Sequence, residues 1–174
     1  MKSILLSLAR YNRSVNEDLD VILRGLDKDR LTADTGTYYH SIANLCRHVL
    51  LADMLWLHRL QNKQFCTACL TKNPLMSIDH RALRAEIEAD HVKLFERRKQ
   101  IDALIEECMH EMSDEDCIRA LQYTNTAGKE IHAIVWQALI HWFNHQTHHR
   151  GNLSAMLDIL GIDNDFSSFL SRVK

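Results

Sequence analysis

Asn144-His145-Gln146-Thr147-His148-His149-Arg150-Gly151-Asn152 is the stretch on which the reading of this chain turns. It lies inside a longer run, from about His132 to Leu160, in which Val135, Ala138, Trp142, His145, His149, Asn152 and Met156 follow at spacings of three and four. That spacing predicts a helix with one inward face, closed by Gly161. His145 and His149 then stand one turn apart on that face, where apolar side chains are expected. Two imidazoles so placed can share one metal ion.

Three more amphipathic helices are predicted upstream. The first runs from about Ile4 to Gly25, with Leu5, Leu8, Tyr11, Val15, Leu19, Ile22 and Leu23 as its apolar stripe and Gly25 as its stop. Ser41 is a natural N-cap for the second, which ends near Gln61 and carries the stripe Leu45, His48, Ala52, Leu55. A histidine again takes a position meant for an apolar residue. Asp79 caps a third helix from about His80 to Met112, with Leu83, Ile87, Val92, Leu94, Phe95, Ile101, Leu104 and Ile105 on its apolar side. Ser113-Asp114-Glu115-Asp116 breaks that helix, and Cys117 to Ile131, with Asn125-Thr126-Ala127-Gly128, suits a short hairpin or an ordered loop. The polar stretch Asp27 to Tyr39 holds the turn Asp34-Thr35-Gly36, and Asn62 to Ser77 reads as a loop. The tail, Asp163 to Lys174, is expected to pack back through Phe166, Phe169 and Leu170. The expected fold is all-α, an antiparallel four-helix bundle in one domain spanning residues 1–174. Metal sites in such bundles are made by side chains projecting inward from facing helices.

Composition agrees with long helices: the 174 residues include one proline, Pro74, and five glycines. A chain of this size buries about 70% of its unfolded surface, so it needs no staples. The net charge of -2, with both signs interspersed, excludes a basic nucleic-acid surface and a polybasic membrane anchor. No apolar run approaches the roughly 20 residues that span a bilayer. The apolar start of the chain is cut short by Arg10, Asn12 and Arg13, which argues against a signal peptide and for the cytosol. Five scattered cysteines read as free thiols. Cys66-Thr67-Ala68-Cys69 has the spacing of a redox or zinc pair but no second such pair beside it, so small loop residues are the preferred reading.

Of eleven histidines, the informative ones are those on apolar stripes: His48, His145 and His149. A lone core histidine more often bonds a backbone carbonyl than a metal. Three imidazoles from two helices are different, because each brings polar nitrogens into a dry place and a shared divalent ion satisfies all of them. His141 and His148 are read as neighbours of a ligand or as surface residues. Gly151, inside a helix, suggests a close helix–helix approach, and Arg150 a structural role. Three neutral ligands leave the ion its full charge, which acidifies whatever binds fourth. Zinc, nickel, iron and copper all accept such a set.

These residues resemble the DinB/YfiT-like superfamily of metalloenzymes. The likeness covers nearly the whole chain: Tyr11-Asn12 in the opening helix, Ser41-Ile42, Asn44-Leu45-Cys46-Arg47-His48, Ala52-Asp53-Met54-Leu55-Trp56-Leu57 and, most specifically, Asn144 to Gly151. The resemblance implies a four-helix bundle of up-down-down-up order, often a homodimer, with a metal on one histidine of the second helix and two of the last. Those fall on His48, His145 and His149. Asn152 stands where the family usually has Gln after Arg-Gly. The family includes enzymes that join low-molecular-weight thiols to electrophiles and a thiol-dependent isomerase, and its link to DNA damage and stress response concerns expression.

Three functions follow as expectations. The first is a metal-dependent S-transferase using a thiol of the bacillithiol, mycothiol or glutathione type. The second is a metal-dependent hydrolase, which needs an acid or base such as Asp53 or Glu130 near the open position. The third is a non-catalytic metal-binding stress-response protein in which the ion braces the bundle. In each the cofactor is a divalent ion, zinc or nickel first; a small-molecule substrate, no nucleic acid and no membrane are the expected partners.

Overall fold

The absence of breakers in the apolar-striped segments produces four long helices, seen in a computed structural model that describes residues 1–63 and 65–173. Gln64 of the expected loop and Lys174 of the expected tail lie outside those residues. In chain order the elements are α1 (Lys2–Arg24), α2 (Lys28–Thr32), α3 (Ile42–Asn62), α4 (Thr67–Lys72), a 3-10 turn (Pro74–Ser77), α5 (His80–Ala89), α6 (His91–Glu111), α7 (Asp114–Cys117), β1 (Ala120–Thr124), β2 (Glu130–Ile134) and α8 (Val135–Ile159). The long helices α1, α3, α6 and α8 enclose the core. α1 packs on α6 and α8, and α3 packs on the same two. α1 and α3, consecutive along the chain, are thus not principal neighbours, and the long segment from Gly25 to Ser41 makes the crossing between them. No helix among the described residues is long and apolar enough to cross a membrane.

The caps act as the sequence suggests. Ser41 Oγ accepts the Asn44 N–H at 3.3 Å, and the Asp79 carboxylate accepts those of Arg81 and Ala82 at 2.9 and 3.1 Å. Gly161, at φ +68°, ends α8, with the Ile162 N–H bonded to Leu157 O and its own N–H to Asp158 O. The segment after α7 is a hairpin, β1 antiparallel to β2 with Gln122 opposite His132.

Several expectations need correction. The third helix is two, because Asp90 takes an extended conformation and its carboxylate accepts the Val92 N–H at 2.7 Å, restarting the helix as α6. Arg47 of α3 then donates to the carbonyls of Ile87 and Glu88 at the end of α5. Val92, assigned to the apolar side, is exposed at that restart. The stretch 62–77 contains α4 and the 3-10 turn rather than a plain loop, and Asp27 caps the short α2 in the polar stretch. Strand pairing holds His132 to Ile134, so the last helix begins at Val135. In the tail, Phe166 is buried and Phe169 packs on the Tyr11 ring at 5.2 Å, whereas Leu170 is exposed. Gly151 faces open space, with nothing within 4 Å of where a Cβ would stand, so close helix approach does not account for it.

A candidate metal centre

His48 projects from the first half of α3, and His145 and His149 from the middle of α8, two helices that pack directly on each other. One ligand atom from each of the three imidazoles lies within 4.8 Å of the others. The His145 and His149 Nε2 atoms are 3.0 Å apart. Ring centroids are separated by 5.4 Å for His48 and His145, 4.8 Å for His48 and His149, and 4.3 Å for His145 and His149. His149 is buried, at 4% exposure, while His48 and His145 are half-buried. The cluster therefore sits at the boundary between core and surface.

Burial sets the charge state. It pushes the pKa of His48 and of His145 below the usual imidazole value, and the Asp53 carboxylate opposes this in both. Burial, reinforced by repulsion from His145 and His48, brings His149 down to about 4. All three rings are thus neutral near pH 7 and keep a free lone pair. A neutral ring offers one donor and one acceptor. The Nε2 contact engages one nitrogen of His145 and one of His149, and Nδ1 of each is buried with no partner, so no carboxylate or carbonyl fixes either tautomer.

The donor set suits a divalent cation in kind, and the His145–His149 pair has the spacing for one. Two nitrogens each about 2.1 Å from one ion are at most about 4.2 Å apart, and the 3.0 Å separation of the two Nε2 atoms is inside that limit. Neutral imidazoles are borderline ligands that serve zinc, nickel, iron and copper alike.

Tyr39, just before the α3 cap, was not singled out by the sequence. Its ring lies 4.9 Å from that of His48 and 5.3 Å from that of His149. Burial, then the neighbouring Tyr38, pushes its phenol pKa up, so it stays protonated and able to donate. Beside His149 a narrow cavity of about 60 Å³ has mainly apolar walls, including Leu19, Leu23, Leu45, Val49 and Leu153.

Asp53 is not a free base. It is fully buried, and its oxygens accept from Arg98 Nη1 at 2.6 Å, Trp142 Nε1 at 2.6 Å and Gln146 Nε2 at 2.8 Å. Asn12 donates to Gln146, Arg98 also grips Asp102 through two bonds of 3.0 and 2.7 Å, and Asn16 donates to Asp102. This network touches all four long helices. Sequence spacing gave no sign of it beyond Asp53 lying on α3 and Gln146 beside His145. Glu130 is exposed on β2, next to Gln122 and His132.

The rival histidines are both exposed: His141 lies against Trp56, and His148 stands 5.0 Å from the His149 ring with its Nε2 3.3 Å from Asn152 Nδ2. Arg150 is buried over the Tyr11 ring and donates to Thr147 Oγ1 at 2.9 Å, in keeping with a structural role.

Comparison with known proteins adds lineage to this geometry. The curated protein named Protein DinB from Bacillus subtilis (strain 168) is 26% identical over 157 residues, covering 90% of this chain and 86% of that protein. No solved structure matches the chain. The DinB family profile matches residues 1–166, a span that holds the histidine cluster, its buried carboxylate clamp and all four long helices, and the chain belongs to the DinB family.

Proposed function

We propose that this protein is a metal-dependent enzyme in which His48, His145 and His149 hold one divalent ion, and that it transfers a low-molecular-weight thiol to an electrophile. The observation that carries the reading is the meeting of three neutral imidazoles within 4.8 Å at the rim of the core. An ion held by three uncharged ligands keeps its charge and acidifies a thiol or water at a remaining position. In the proposed reaction the thiol loses its proton to solvent, and its sulfur bonds to the electrophilic carbon as the leaving group departs.

The chain's own residues support thiol transfer over hydrolysis. A hydrolase needs a carboxylate or similar group to manage the proton of water. Asp53 has its oxygens engaged by three donors, and no carboxylate belongs to the cluster among the described residues. A thiol, already the stronger acid, makes less demand for such a base. The Tyr39 ring stands beside His48 and His149, which would let its phenol serve a substrate at the cluster, and the apolar walls beside His149 suit an apolar acceptor. Zinc or nickel as the ion, a homodimer, a cytosolic setting and a four-helix bundle of up-down-down-up order belong to the same proposal.

The test is a conjugation assay on protein purified without a histidine tag. Glutathione, bacillithiol and mycothiol are each offered with an activated aryl chloride, with zinc or nickel and after chelation. Metal-dependent conjugation that disappears in His48→Ala and His149→Ala is expected. Hydrolysis of an activated ester with no thiol conjugation would move the assignment to the hydrolase class, and tight metal binding with neither activity would leave a bracing role for the ion.

A further inference from the structure

The cysteine motif of the sequence folds into something its spacing does not suggest. Cys66 adopts a left-handed backbone, φ 52° and ψ 42°, immediately before α4, and Cys69 lies within α4. Cys69 Sγ is 3.2 Å from Cys108 Sγ, which comes from α6, and its other sulfur contact is a bond to the Cys66 carbonyl at 3.3 Å. The Cys66 thiol bonds the Cys108 carbonyl at 3.1 Å and also reaches the Cys108 thiol. A separation of 3.2 Å is closer than ordinary contact between two sulfurs, so the two side chains already face each other.

The backbone around this pair is clamped. One Glu111 carboxylate, a turn beyond Cys108 on α6, accepts the N–H groups of both Ala68 and Cys69 at 2.8 Å. α4 is thereby fixed on the end of α6, and a bond between the sulfurs asks for little movement. Access is one-sided. Cys69, at 8% exposure, lines an open surface pocket with Lys72, Glu107 and His110, whereas Cys108 is fully buried. Hydrogen bonds that the Cys108 thiol makes to Cys66 and Cys69, then burial, hold it protonated well above its usual range. The attacking thiol is therefore Cys69, and Cys108 is the partner that follows.

We infer that Cys69 and Cys108 form a peroxide-reactive dithiol, a modification site separate from the histidine cluster. The Cys69 sulfur attacks one oxygen of hydrogen peroxide, the O–O bond breaks, and one water leaves with Cys69 as sulfenic acid. The Cys108 sulfur then attacks the Cys69 sulfur, its proton goes to the departing hydroxyl, and a second water leaves. Both cysteines are oxidised, one peroxide is reduced to two waters, and the disulfide ties α4 to α6. Cys69, and not Cys108, lines the surface pocket, which gives a small oxidant its nearer approach for the first step.

The experiment uses the reduced full chain. It is treated with a small excess of hydrogen peroxide, blocked with an alkylating agent, digested and read by fragmenting mass spectrometry. The expected product is a link between the peptide carrying Cys69 and that carrying Cys108, lighter by about 2 Da than the two free peptides and reversed by dithiothreitol. The same link is expected in Cys66→Ser and is lost in Cys69→Ser. Fragmentation of the wild-type peptide assigns the linked sulfur without any variant, so a misfolded variant does not blunt the test. A Cys66–Cys108 link, a Cys66–Cys69 link within one peptide, a link through Cys117, or Cys69 oxidised with Cys108 left free would overturn the inference, as would all five thiols remaining alkylatable.

Discussion

Asp53 and His149 are both buried polar side chains, at 0% and 4% exposure, yet their surroundings are opposite. Around Asp53 the donors come from α6 and α8, and Asp102 and the two amides Asn12 and Gln146 extend the bonding through all four long helices. Around His149, among the described residues, there is no carboxylate partner, one nitrogen faces another imidazole and the other has no partner. Buried polar groups in folded proteins are ordinarily satisfied. A closed network therefore belongs to the scaffold, and an open one a few residues away leaves polar atoms that a bound ion could satisfy.

The largest expected effect tests the scaffold half of that contrast. Asp53→Ala strands Trp142 and Gln146, leaves Arg98 with Asp102 as its one carboxylate, and should cost about 3–5 kcal/mol in urea or thermal unfolding. In protein stripped of metal, His149→Ala should cost clearly less. If the order were reversed, the histidine cluster would be the structural one.

The ligand half is tested by metal. Zinc or nickel at 100 times its Kd should stabilise the stripped protein by about 2.7 kcal/mol, read as a rise in Tm. The gain should be absent from His48→Ala and His149→Ala, which lose one of three ligands. A metal-induced gain that survives in both variants would place the ion elsewhere.

Acidity sharpens the comparison. The folded His149 imidazole has its pKa lowered to about 4, first by burial, against 6.5 for an ordinary histidine. Between those values the unfolded chain binds a proton that the folded chain refuses. Stability of the stripped protein should therefore fall as pH drops from about 6.5 to about 4, and this contribution should be flat above that window. Urea midpoints across the pH series should flatten in His149→Ala, and an unchanged slope would remove burial of this ring as its cause.

The smallest effect concerns Gly151, on the exposed side of the same helix. Nothing in the structure requires a glycine there, so Gly151→Ala should stabilise by about 0.5–1 kcal/mol without changing metal content. A loss of stability would show that this face needs the glycine.

Much of the site was legible in the chain because helical periodicity is local. Spacings of three and four fixed the inward faces of α1 and α8, and Ser41 and Asp79 announced their helices through the side-chain oxygen that caps the first free N–H groups. His145 and His149 needed only one helix to be read as a pair. Asp90 was legible in principle as a cap inside a run of good helix formers, but the strong apolar spacing on either side outweighed it. Tyr39 and Arg98 carried no such local signal.

By itself, then, the sequence determined that the four apolar-striped segments are helical, most of their inward faces, and that His48, His145 and His149 occupy apolar positions. Only the tertiary structure decided that Arg98 answers Asp53, that Tyr39 covers the cluster, and that Cys69 meets Cys108. The reason is physical. A repeat of 3.6 residues per turn is set by backbone hydrogen bonds between near neighbours, whereas partners on different helices depend on the rotation and offset of each helix against the next, which only the packed core as a whole determines.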